Sequence, residues 1–421
     1  MQYMKKAFLV SVCLQKESER EKRLSINELK NLTNTASIKI IGKRIQKRSK
    51  IDVATYAGKG FLQEIADNHR DNLDILIFDN DLSPSQVKNI SEKFDIEVMD
   101  RTEIILKIFH DHARTKEAKL QVRLARLEYL LPRLKKMWTH LDRERGSAKS
   151  SGGFASRGMG EKQSEVDRRK VRNEIAHIKE ELKKVMQQKK TQRKARNSNV
   201  KKISLVGYTN AGKTSLFNRL TDSKQYVKDK LFATLSSKAQ RIDLSKGHNC
   251  LISDTVGFIK NLPHQLVASF RATLKDTTDS DLILHVVDIA EEAMERRIEA
   301  VNSVLEEINA GNIDTILVFN KVDLLSENEL NLIDNIKNLY PKSVFVSAKT
   351  GKNIDTLLKA IDKRINYSKK YQLFLPHTEQ KTINYIHNYG KILEKEYVEN
   401  GVKFEVIMNT DDSQKIKQYI K

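Results

Sequence analysis

The sequence of 421 residues predicts an α/β protein in four parts: two α/β domains, an antiparallel helical hairpin between them, and a small α+β C-terminal appendage. Three observations predict this class. Short apolar runs alternate with amphipathic segments in residues 1–109 and again in residues 201–370, which is the pattern of parallel sheets with crossover helices. Two apolar seams with 4-3 spacing lie between them in residues 110–200. Residues 371–421 follow as a short mixed segment.

The first domain is predicted to alternate four strands with three helices. The strands are AFLVSVCL, SIKIIGKRI, LDILIFD and IEVMD, and the helices are SINELKNLTNTA, GFLQEIADNH and SPSQVKNISEKF. The first apolar run imitates a signal peptide, but charged residues follow it without a small-residue cleavage site, which favours a buried strand. Gly58 and Gly60 flank Lys59 ahead of a helix, where backbone N–H groups could hold a phosphate, although an ordinary tight turn is the simpler interpretation.

A basic helical hairpin is predicted for residues 110–200. Its two seams share a 4-3 spacing and comprise Leu120, Leu124, Leu127, Leu131, Leu134, Trp138 and Leu141, then Val171, Ile175, Ile178, Leu182 and Val185. Pro132 is expected to kink or locally break the first helix. Between the seams, GGFASRGMGEKQSEVDRR is predicted as a glycine- and arginine-rich tip that contacts RNA through Arg157, Arg168 and Arg169. A flexible linker is the alternative.

The charge balance is strongly basic, with 76 Lys+Arg against 55 Asp+Glu and a net charge of +21. Residues 111–200 hold 25 basic and 11 acidic residues, which accounts for +14 of that excess. Such a block indicates a polyanionic partner, either nucleic acid or an anionic membrane surface, with a plainly solvated face as the alternative. Cys13 and Cys250 lie in apolar runs, and no apolar stretch approaches the ~20 residues of a membrane span. We expect a cytoplasmic protein.

The second α/β domain has five predicted strands. They are KKISLVGY, NCLISDTVGF, LILHVVDI, DTILVFNKVD and SVFVSAKTG, each ending in a loop. In the C-terminal appendage, TINYIHNYGKILEKEY is predicted as a helix and VKFEVIM as a strand.

The stretch SLVGYTNAGKTSLFNRL has the P-loop pattern between an apolar strand and an amphipathic helix. Glycines permit the turn that points successive N–H groups at phosphate oxygens, and the helix N-terminus adds its dipole. Lys213 is predicted to neutralise the β- and γ-phosphates as a catalytic residue, and Thr214 to ligate Mg²⁺. The predicted nucleotide-binding residues of this loop are Gly207, Tyr208, Thr209, Asn210, Ala211, Gly212, Lys213 and Thr214.

Two further segments are predicted to meet the phosphates. The polar stretch DKLFATLSSKAQ is predicted as a mobile, strandless switch in which Thr234 is a catalytic residue and a second Mg²⁺ ligand; Thr221 and Thr255 are less well placed. In SDTVGF, Asp254 suits an indirect Mg²⁺ contact, and the catalytic Gly257 N–H would meet the γ-phosphate. The nucleotide-binding residues predicted here are Phe232, Ala233, Thr234, Leu235, Ser236, Asp254, Thr255, Val256 and Gly257.

The motif FNKVD predicts recognition of guanine. The Asp323 carboxylate can accept two hydrogen bonds from the guanine ring N–H and exocyclic amine, a pair that adenine does not offer. Asn320 would brace the loop, and the Lys321 stem would lie over the purine ring. In SAKTG, the backbone would meet the guanine oxygen. The predicted base-binding residues are Asn320, Lys321, Val322, Asp323, Ser347, Ala348 and Lys349. Four motifs in this order make GTP the predicted ligand.

Two positions near the phosphates bear on mechanism. Phe258 follows DTVG where many small GTPases place a water-orienting Gln, so either another group orients the water or intrinsic turnover is slow and a partner completes the site. Asn210 resembles the P-loop asparagine of cation-activated GTPases, in which K⁺ substitutes for an arginine finger, although the side chain could simply cap the loop.

With the hairpin, these motifs make the chain resemble the HflX family of GTPases along essentially its whole length. The similar segments are ATYAGKG, IFDNDLSPSQ, DRTEIILKIF, LQVRLARLEYLLPRL, SRGMGEKQSEVDRR, GYTNAGKTSLFN, LFATL, DTVGFI, NKVD and SAKTG. The resemblance implies Mg²⁺-dependent GTP hydrolysis coupled to the large ribosomal subunit and its RNA, with splitting, rescue or recycling of ribosomes under stress. The tip departs from the family pattern, because GFASRGMGE stands where the family has Gly-Ile-Gly-Thr-Arg-Gly-Pro-Gly-Glu.

Three functions follow from these residues. The leading interpretation is a ribosome-stimulated GTPase that is monomeric when free. The alternative is a GTP-liganded RNA-binding or ribosome-assembly module with little hydrolysis of its own, which Phe258 keeps open. A third interpretation is a membrane-surface GTPase whose basic block binds anionic lipid.

Overall fold

A computed structural model describes residues 4–137, 157–194, 200–223, 231–232, 238–244, 249–259, 274–326, 330–365, 368–409 and 413–420. The chain divides into two compact units. The first comprises Met1–Ile242 and Cys250–Lys352, and the second comprises Asp243–Asn249 and Asn353–Lys421. Both large sheets and the helical hairpin therefore belong to one unit.

The first α/β domain is built on a four-stranded parallel sheet with the strand order β2-β1-β3-β4. The strands are β1 (Lys6–Leu14), β2 (Lys39–Arg48), β3 (Ile75–Phe78) and β4 (Glu97–Asp100). The helices are α1 (Glu19–Thr35), α2 (Lys59–Asn68), α3 (Pro84–Phe94) and α4 (Arg101–His112). Each predicted strand and helix of this domain is confirmed, including the strand at the apolar run that imitates a signal peptide.

Both faces of this sheet are buried, because successive side chains of β1 point into two different cores. Leu9 lies in the core that also contains residues of α1 and α4, whereas Phe8 and Val10 lie in the core that contains residues of α2 and α3. Helix α4 is not among the predicted helices. It begins directly after β4, where the Asp100 carboxylate accepts a hydrogen bond from the Glu103 N–H at 2.9 Å.

Helices α5 (Lys116–Met137) and α6 (Arg157–Lys194) form the predicted hairpin. Its seam is the predicted one: the buried cluster comprises Leu124, Ile175, Ile178 and Leu182, with Leu120, Leu127, Leu131 and Val171 packed against it. Ion pairs from Arg123 to Glu174 and from Lys179 to Glu128 also join the two helices. Helix α5 continues through Pro132 to Met137, so of the two effects expected there, a kink or a local break, the break does not occur.

The glycine- and arginine-rich segment differs from its prediction. Helix α6 begins at Arg157, inside that segment, so Arg168 and Arg169 lie within a helix rather than in a connection. Glycines lower helix propensity, but no proline follows them, and Glu161, Lys162 and Gln163 are good helix formers. Residues 138–156, which include the rest of the predicted tip and the end of the first seam, lie outside the described residues.

The second α/β domain contains a six-stranded sheet with the order β10-β9-β8-β5-β7-β6. The strands are β5 (Lys201–Gly207), β6 (Lys238–Asp243), β7 (Asn249–Asp254), β8 (Leu282–Asp288), β9 (Thr315–Asn320) and β10 (Val344–Phe345). The helices are α7 (Lys213–Thr221), α8 (Met294–Glu307) and α9 (Leu330–Leu339). Strands β5, β7, β8, β9 and β10 pair in parallel and confirm the five predicted strands.

Strand β6 corrects one prediction. Lys238 and Gln240 belong to the segment expected to be strandless, yet they begin this edge strand. The sequence gives little signal for it, since five of its six residues are exposed and only Ile242 is buried. An edge strand held mainly by backbone hydrogen bonds needs no apolar alternation.

The second unit contains helix α10 (Ile354–Ile365), strands β11 (Ser368–Leu375), β12 (Gly390–Val398) and β13 (Gly401–Asn409), and helix α11 (Gln380–Tyr389). The antiparallel sheet has the order β11-β13-β12. The stretch predicted as a single helix is wrong in its second half, because α11 ends at Tyr389 and β12 begins at Gly390. At Gly390 a Cβ would lie 2.4 Å from Val406 Cγ2, so this close approach requires glycine.

Candidate functional site

The loop between β5 and α7 has a backbone shape that only glycine allows at two positions. Gly207 has a φ of +149°, and a Cβ there would lie 2.2 Å from the Val286 carbonyl oxygen. Gly212 has a φ of +88°, and a Cβ there would lie 2.2 Å from Asn320 Nδ2. Asn210 takes a φ of +62° between them. The turn places the loop directly before the N-terminus of α7. P-loop proteins bind phosphate with this arrangement.

The ammonium group of Lys213, the first residue of α7, lies inside this loop. Its Nζ donates hydrogen bonds to the carbonyl oxygens of Tyr208 at 2.8 Å and Gly207 at 3.1 Å. Burial lowers the pKa of Lys213 to about 8, and the negative charge of Asp254 opposes that change. The ammonium group is therefore held in the loop with little water around it, where its attraction for a phosphate is weakly screened.

Thr214 and Asp254, two of the residues predicted to contact Mg²⁺ directly or indirectly, lie together. Thr214 Oγ1 donates to Asp254 Oδ2 at 2.8 Å, and Asp254 is fully buried at the end of β7. Hydroxyl and carboxylate oxygens are ligands that suit Mg²⁺ directly or through water. Thr255 is placed differently, since its hydroxyl donates to the Leu205 carbonyl at 2.6 Å. This donor set fits an Mg²⁺ held by Thr214 and, at one remove, by Asp254.

The segment after β7 lies directly against the P-loop. The Thr209 N–H donates to the Phe258 carbonyl at 2.8 Å, and the Phe258 N–H donates to the Gly207 carbonyl at 3.0 Å. A Cβ at Gly257 would lie 3.0 Å from Lys213 Nζ and 3.0 Å from Thr209 Cγ2. Gly257 is therefore next to the predicted catalytic lysine. The Phe258 side chain is buried in the apolar core beside Val256, away from any role in orienting water.

Asn320 joins the P-loop to the loop after β10. Its Nδ2 donates to the Ala211 carbonyl at 3.0 Å, and its Oδ1 accepts from the Ala348 N–H at 2.9 Å. The predicted bracing role corresponds to these two contacts. Ser347 Oγ donates to Asp323 Oδ1 at 2.5 Å, which brings both guanine-recognition loops together. Val322 connects them through its N–H, which donates to the Val346 carbonyl at 3.3 Å.

The contacts of two basic residues in this region are absent from the sequence prediction. Lys321, expected over a purine, forms an ion pair with Asp288 at 2.6 Å. Arg219 of α7 donates to the carbonyl oxygens of Ala348 at 3.2 Å and Lys349 at 2.7 Å. Nothing in the local sequence around Arg219 signals this contact, because its partners lie about 130 residues away.

Of the predicted switch, the structure describes Leu231 and Phe232, besides the last three residues (238–240), which begin β6. Phe232 has a φ of +56°, and its ring lies 4.5 Å from the Phe109 ring of α4. The Phe232 carbonyl lies 2.9 Å from His112 Nδ1. The other switch residues predicted to bind nucleotide or metal, Ala233, Thr234, Leu235 and Ser236, lie outside the described residues.

The predicted RNA-binding arginines lie near the start of α6. Arg169 is exposed, whereas Arg168 is half-buried, and its Nε has no hydrogen-bond partner among the described residues. Arg157 is the first residue of the helix. These arginines lie N-terminal to the apolar seam that holds α6 against α5.

His285 of β8 is a buried neighbour of the P-loop lysine, and no local sequence pattern marks this histidine. Burial and then the charge of Lys213 lower its pKa to about 3, and Nδ1 has no partner among the described residues. The unfolded chain binds a proton at the ordinary pKa of about 6.5, so the stability contributed by neutral His285 is complete above pH 6.5. That stability is lost as the pH falls from 6.5 towards 3.

We therefore expect His285→Leu to reduce acid sensitivity. Between pH 7 and pH 5 the wild type should lose about 2 kcal/mol of unfolding free energy relative to the variant. Urea denaturation at both pH values measures this difference. The comparison between the two proteins is essential, because burial raises the pKa of Glu103 to about 7, which has the opposite effect in the same range. Parallel pH profiles would contradict the prediction.

The P-loop also contacts the first domain, which the sequence did not predict. Tyr208 Oη donates to Glu28 Oε1 of α1 at 2.5 Å, although 180 residues separate the two. Tyr208, Phe232 and Phe258 share one buried core with Phe109 of α4. Arg101, the second residue of the DRTEIILKIF segment, lies next to this contact as a partner of Glu28.

Three family models match consecutive parts of the chain. Residues 23–110 match the family described as GTP-binding GTPase N-terminal, and residues 112–196 match GTP-binding GTPase Middle Region. Residues 202–321 match the family described as 50S ribosome-binding GTPase. None of the helices in the described part of the chain is long and apolar enough to span a membrane.

Curated relatives match nearly the full chain. GTPase HflX of Caldanaerobacter subterraneus subsp. tengcongensis is 36% identical, over 99% of this chain and 94% of that protein. GTPase HflX of Escherichia coli is 40% identical, over 93% of this chain and 90% of that protein. Among solved structures, SsGBP in complex with GDP is 27% identical, with 86% of this chain and 98% of that chain covered and a TM-score of 0.47.

Proposed function

Because the chain belongs to the HflX family of GTPases, we propose that it couples Mg²⁺-dependent GTP hydrolysis to the splitting, rescue or recycling of ribosomes under stress. The observation that carries this proposal is the placement of the P-loop and the basic hairpin within one compact unit. The match of residues 202–321 to a family of 50S ribosome-binding GTPases supports the large subunit as the partner. We also infer that the protein is cytoplasmic and monomeric when free.

Residues of the P-loop and of the two segments beside it have separate proposed roles in phosphate binding and catalysis. Lys213 would neutralise the β- and γ-phosphates, and the N–H groups of the loop would donate to their oxygens. Thr214 and Thr234 would hold Mg²⁺, which supplies positive charge that stabilises the phosphates as the bond to the γ-phosphate breaks. The Gly257 N–H would donate to the γ-phosphate. Because Phe258 is buried, we propose that a group from the ribosome, or from the switch, orients the attacking water.

Guanine selection is proposed for Asp323, held by the Ser347 hydroxyl, with Asn320 fixing the loop against Ala211. We propose that Lys321 leaves its ion pair with Asp288 when its stem covers the base. Asn210 is exposed on the loop, which supports a contact with K⁺ beside the phosphates. Phosphate release in potassium and sodium buffers tests that role, and equal rates would contradict it.

The hairpin is proposed as the ribosomal RNA contact. Arg168 and Arg169 would bind phosphates or bases, and Arg157 would do so at the start of the helix. Their position supports this role, because they lie beyond the buried seam and outside the sheets that hold the nucleotide site. Basic residues on a helix bind RNA phosphates without a further loss of backbone freedom, because the helix has already ordered the backbone.

We expect Arg168→Gln/Arg169→Gln to weaken large-subunit binding by about tenfold or more at moderate salt. The slope of log affinity against log salt concentration should fall by the equivalent of about two phosphate contacts. GTP affinity should not change. Lys183→Gln/Lys184→Gln is the matched control, because it removes two exposed positive charges from the same helix. Binding to isolated large subunits across a salt series measures the effect. Equal losses in both variants would indicate a nonspecific charge effect and contradict the assignment.

The proposed function is tested by phosphate release with and without large ribosomal subunits, followed by separation of subunits from stalled 70S ribosomes on sucrose gradients. We expect subunits to accelerate release and the protein with GTP to split ribosomes. A protein that binds subunits without accelerated release would support the GTP-liganded assembly module instead. Binding to anionic vesicles that ribosomal RNA does not displace would support the membrane-surface alternative.

A further inference from the structure

Tyr208 follows Gly207 in the P-loop, and its side chain extends to the first α/β domain. Its hydroxyl donates to Glu28 of α1 at 2.5 Å. The guanidinium of Arg297 lies over its ring, 4.6 Å from the ring centre, and donates to Glu291 at 2.7 Å. The ring also forms part of the wall of a cavity of about 460 Å³ between α1, the P-loop and α8. Tyr208 is therefore held from both domains.

Glu28 connects this contact to a buried cation. Arg101, at the start of α4, forms ion pairs with Glu28 and with Asp79, the latter at 2.9 Å. The Arg101 side chain is 4% exposed and that of Asp79 is 2% exposed, so the charges have little water around them. In such surroundings an ion pair is only weakly screened, and a shift of one partner changes the balance of the others.

Asp100, the residue before Arg101, is hydrogen-bonded to the first helix of the hairpin. The fully buried Asp100 accepts hydrogen bonds from Tyr129 Oη at 2.8 Å and from Arg133 of α5 at 2.9 Å. The Arg133 guanidinium also lies 3.5 Å from the centre of the Tyr129 ring. Asp100 ends β4 and Arg101 begins α4, so the backbone they share links the two sets of contacts directly.

We propose that Glu28 and Arg101 are positioning residues for the P-loop, and that the chain Tyr208–Glu28–Arg101–Asp100–Arg133 couples the nucleotide site to the helical hairpin. The Tyr208 carbonyl accepts a hydrogen bond from Lys213, so displacement of the Tyr208 side chain moves the backbone that holds the phosphate-binding lysine. At the other end, α5 carries half of the hairpin seam. Nucleotide binding and hairpin position thus influence each other reciprocally.

The first test is a double-mutant cycle on nucleotide affinity. Tyr208→Phe removes only the hydroxyl and keeps the ring under Arg297, whereas Glu28→Gln keeps a hydrogen-bond acceptor and removes the charge. Each change should weaken binding of a fluorescent GDP analogue by about three- to tenfold, because this hydrogen bond positions the P-loop without touching the nucleotide and only part of its energy reaches the binding step. The double variant should be no weaker than the weaker single variant. Additive losses, or no loss in Tyr208→Phe, would overturn the proposal.

The second test separates coupling from a purely structural role. Hydrogen exchange of the α5 amides is measured with and without saturating GDP. In the wild type, we expect GDP to change exchange in α5, and in Tyr208→Phe we expect that change to disappear while GDP still binds. Glu21→Gln is the matched control, because it removes another acidic side chain of α1, paired with Arg296 at 2.7 Å, and should keep the response. An unchanged response in Tyr208→Phe would overturn the coupling.

The biological role of this coupling depends on the proposed contact between the hairpin and the ribosome. The double-mutant cycle and the hydrogen-exchange measurement both test the coupling without ribosomes. If α5 responds to GDP through Tyr208 and large subunits do not bind, the coupling stands and the proposed function fails. If large subunits bind and α5 does not respond, the proposed function stands and the coupling fails.

Discussion

Lys213→Met is expected to lower the rate of GTP hydrolysis by about 10³-fold while leaving the fold intact. The ammonium group donates to the carbonyl oxygens of Tyr208 and Gly207 and lies next to Gly257, so its loss removes the positive charge closest to the predicted phosphate position. Methionine has a similar volume and no charge. Phosphate release at saturating GTP, with and without large subunits, measures the rate.

The stability of this variant is a second, independent expectation. Burial lowers the pKa of Lys213 from 10.5 to about 8, so at pH 7 the folded protein holds this charge at a cost of about 3 kcal/mol. Removing the charge relieves that cost, whereas the Gly207 and Tyr208 carbonyl groups each lose one hydrogen bond, which costs about 1 kcal/mol each because each keeps a backbone donor, the Phe258 N–H and the Ala211 N–H respectively. The thermal midpoint without nucleotide should therefore lie within a few degrees of the wild type. Hydrolysis at the wild-type rate in a folded variant would contradict the assignment of Lys213.

Asp323→Asn is expected to weaken GTP binding by at least about 10²-fold and to allow xanthine nucleotides to bind. A carboxylate accepts both guanine donors, and each hydrogen bond to a charged group contributes about 1.5–3 kcal/mol. An amide can accept only one and instead donates to the carbonyl that xanthine has in place of the guanine amine. Titrations with GTP and xanthosine triphosphate measure the change in preference.

Ser347→Ala is the matched control for Asp323→Asn. It removes the hydroxyl that donates to Asp323 Oδ1 at 2.5 Å and keeps the carboxylate itself. GTP affinity should fall by about tenfold, as expected for the loss of one supporting hydrogen bond, without any gain of xanthine binding. Unaltered GTP affinity in Asp323→Asn would show that guanine is recognised elsewhere.

Much of the fold and the P-loop could be predicted because their signals are local. The continuous apolar run of β1 predicts a strand that is buried on both faces, and the sequence from Gly207 to Thr214 contains the glycines that its own turn requires. The hairpin seam could be predicted for the same reason, since the 4-3 spacing specifies which residues of α5 and α6 meet.

The features that the sequence did not predict depend on residues far away in the chain or have little local signal. Strand β6 has only one buried side chain, and the change from α11 to β12 at Gly390 depends on a contact with Val406 on the neighbouring strand β13. The contact between Tyr208 and Glu28 joins residues of two domains, and neither residue has a local pattern that marks it. Lys321 has the residue type that stacks on a purine, but its partner Asp288 comes from another strand.

The glycine turns and the Asn320 bridge have a consequence for the entropy of nucleotide binding. The Ala211 carbonyl, the Ala348 N–H and the Lys213 ammonium group are already held by protein partners. The loss of backbone freedom in this loop, about 1–2 kcal/mol for each residue fixed, therefore occurs when the chain folds. Because the incoming nucleotide orders little further backbone there, more of its interaction energy remains available as affinity.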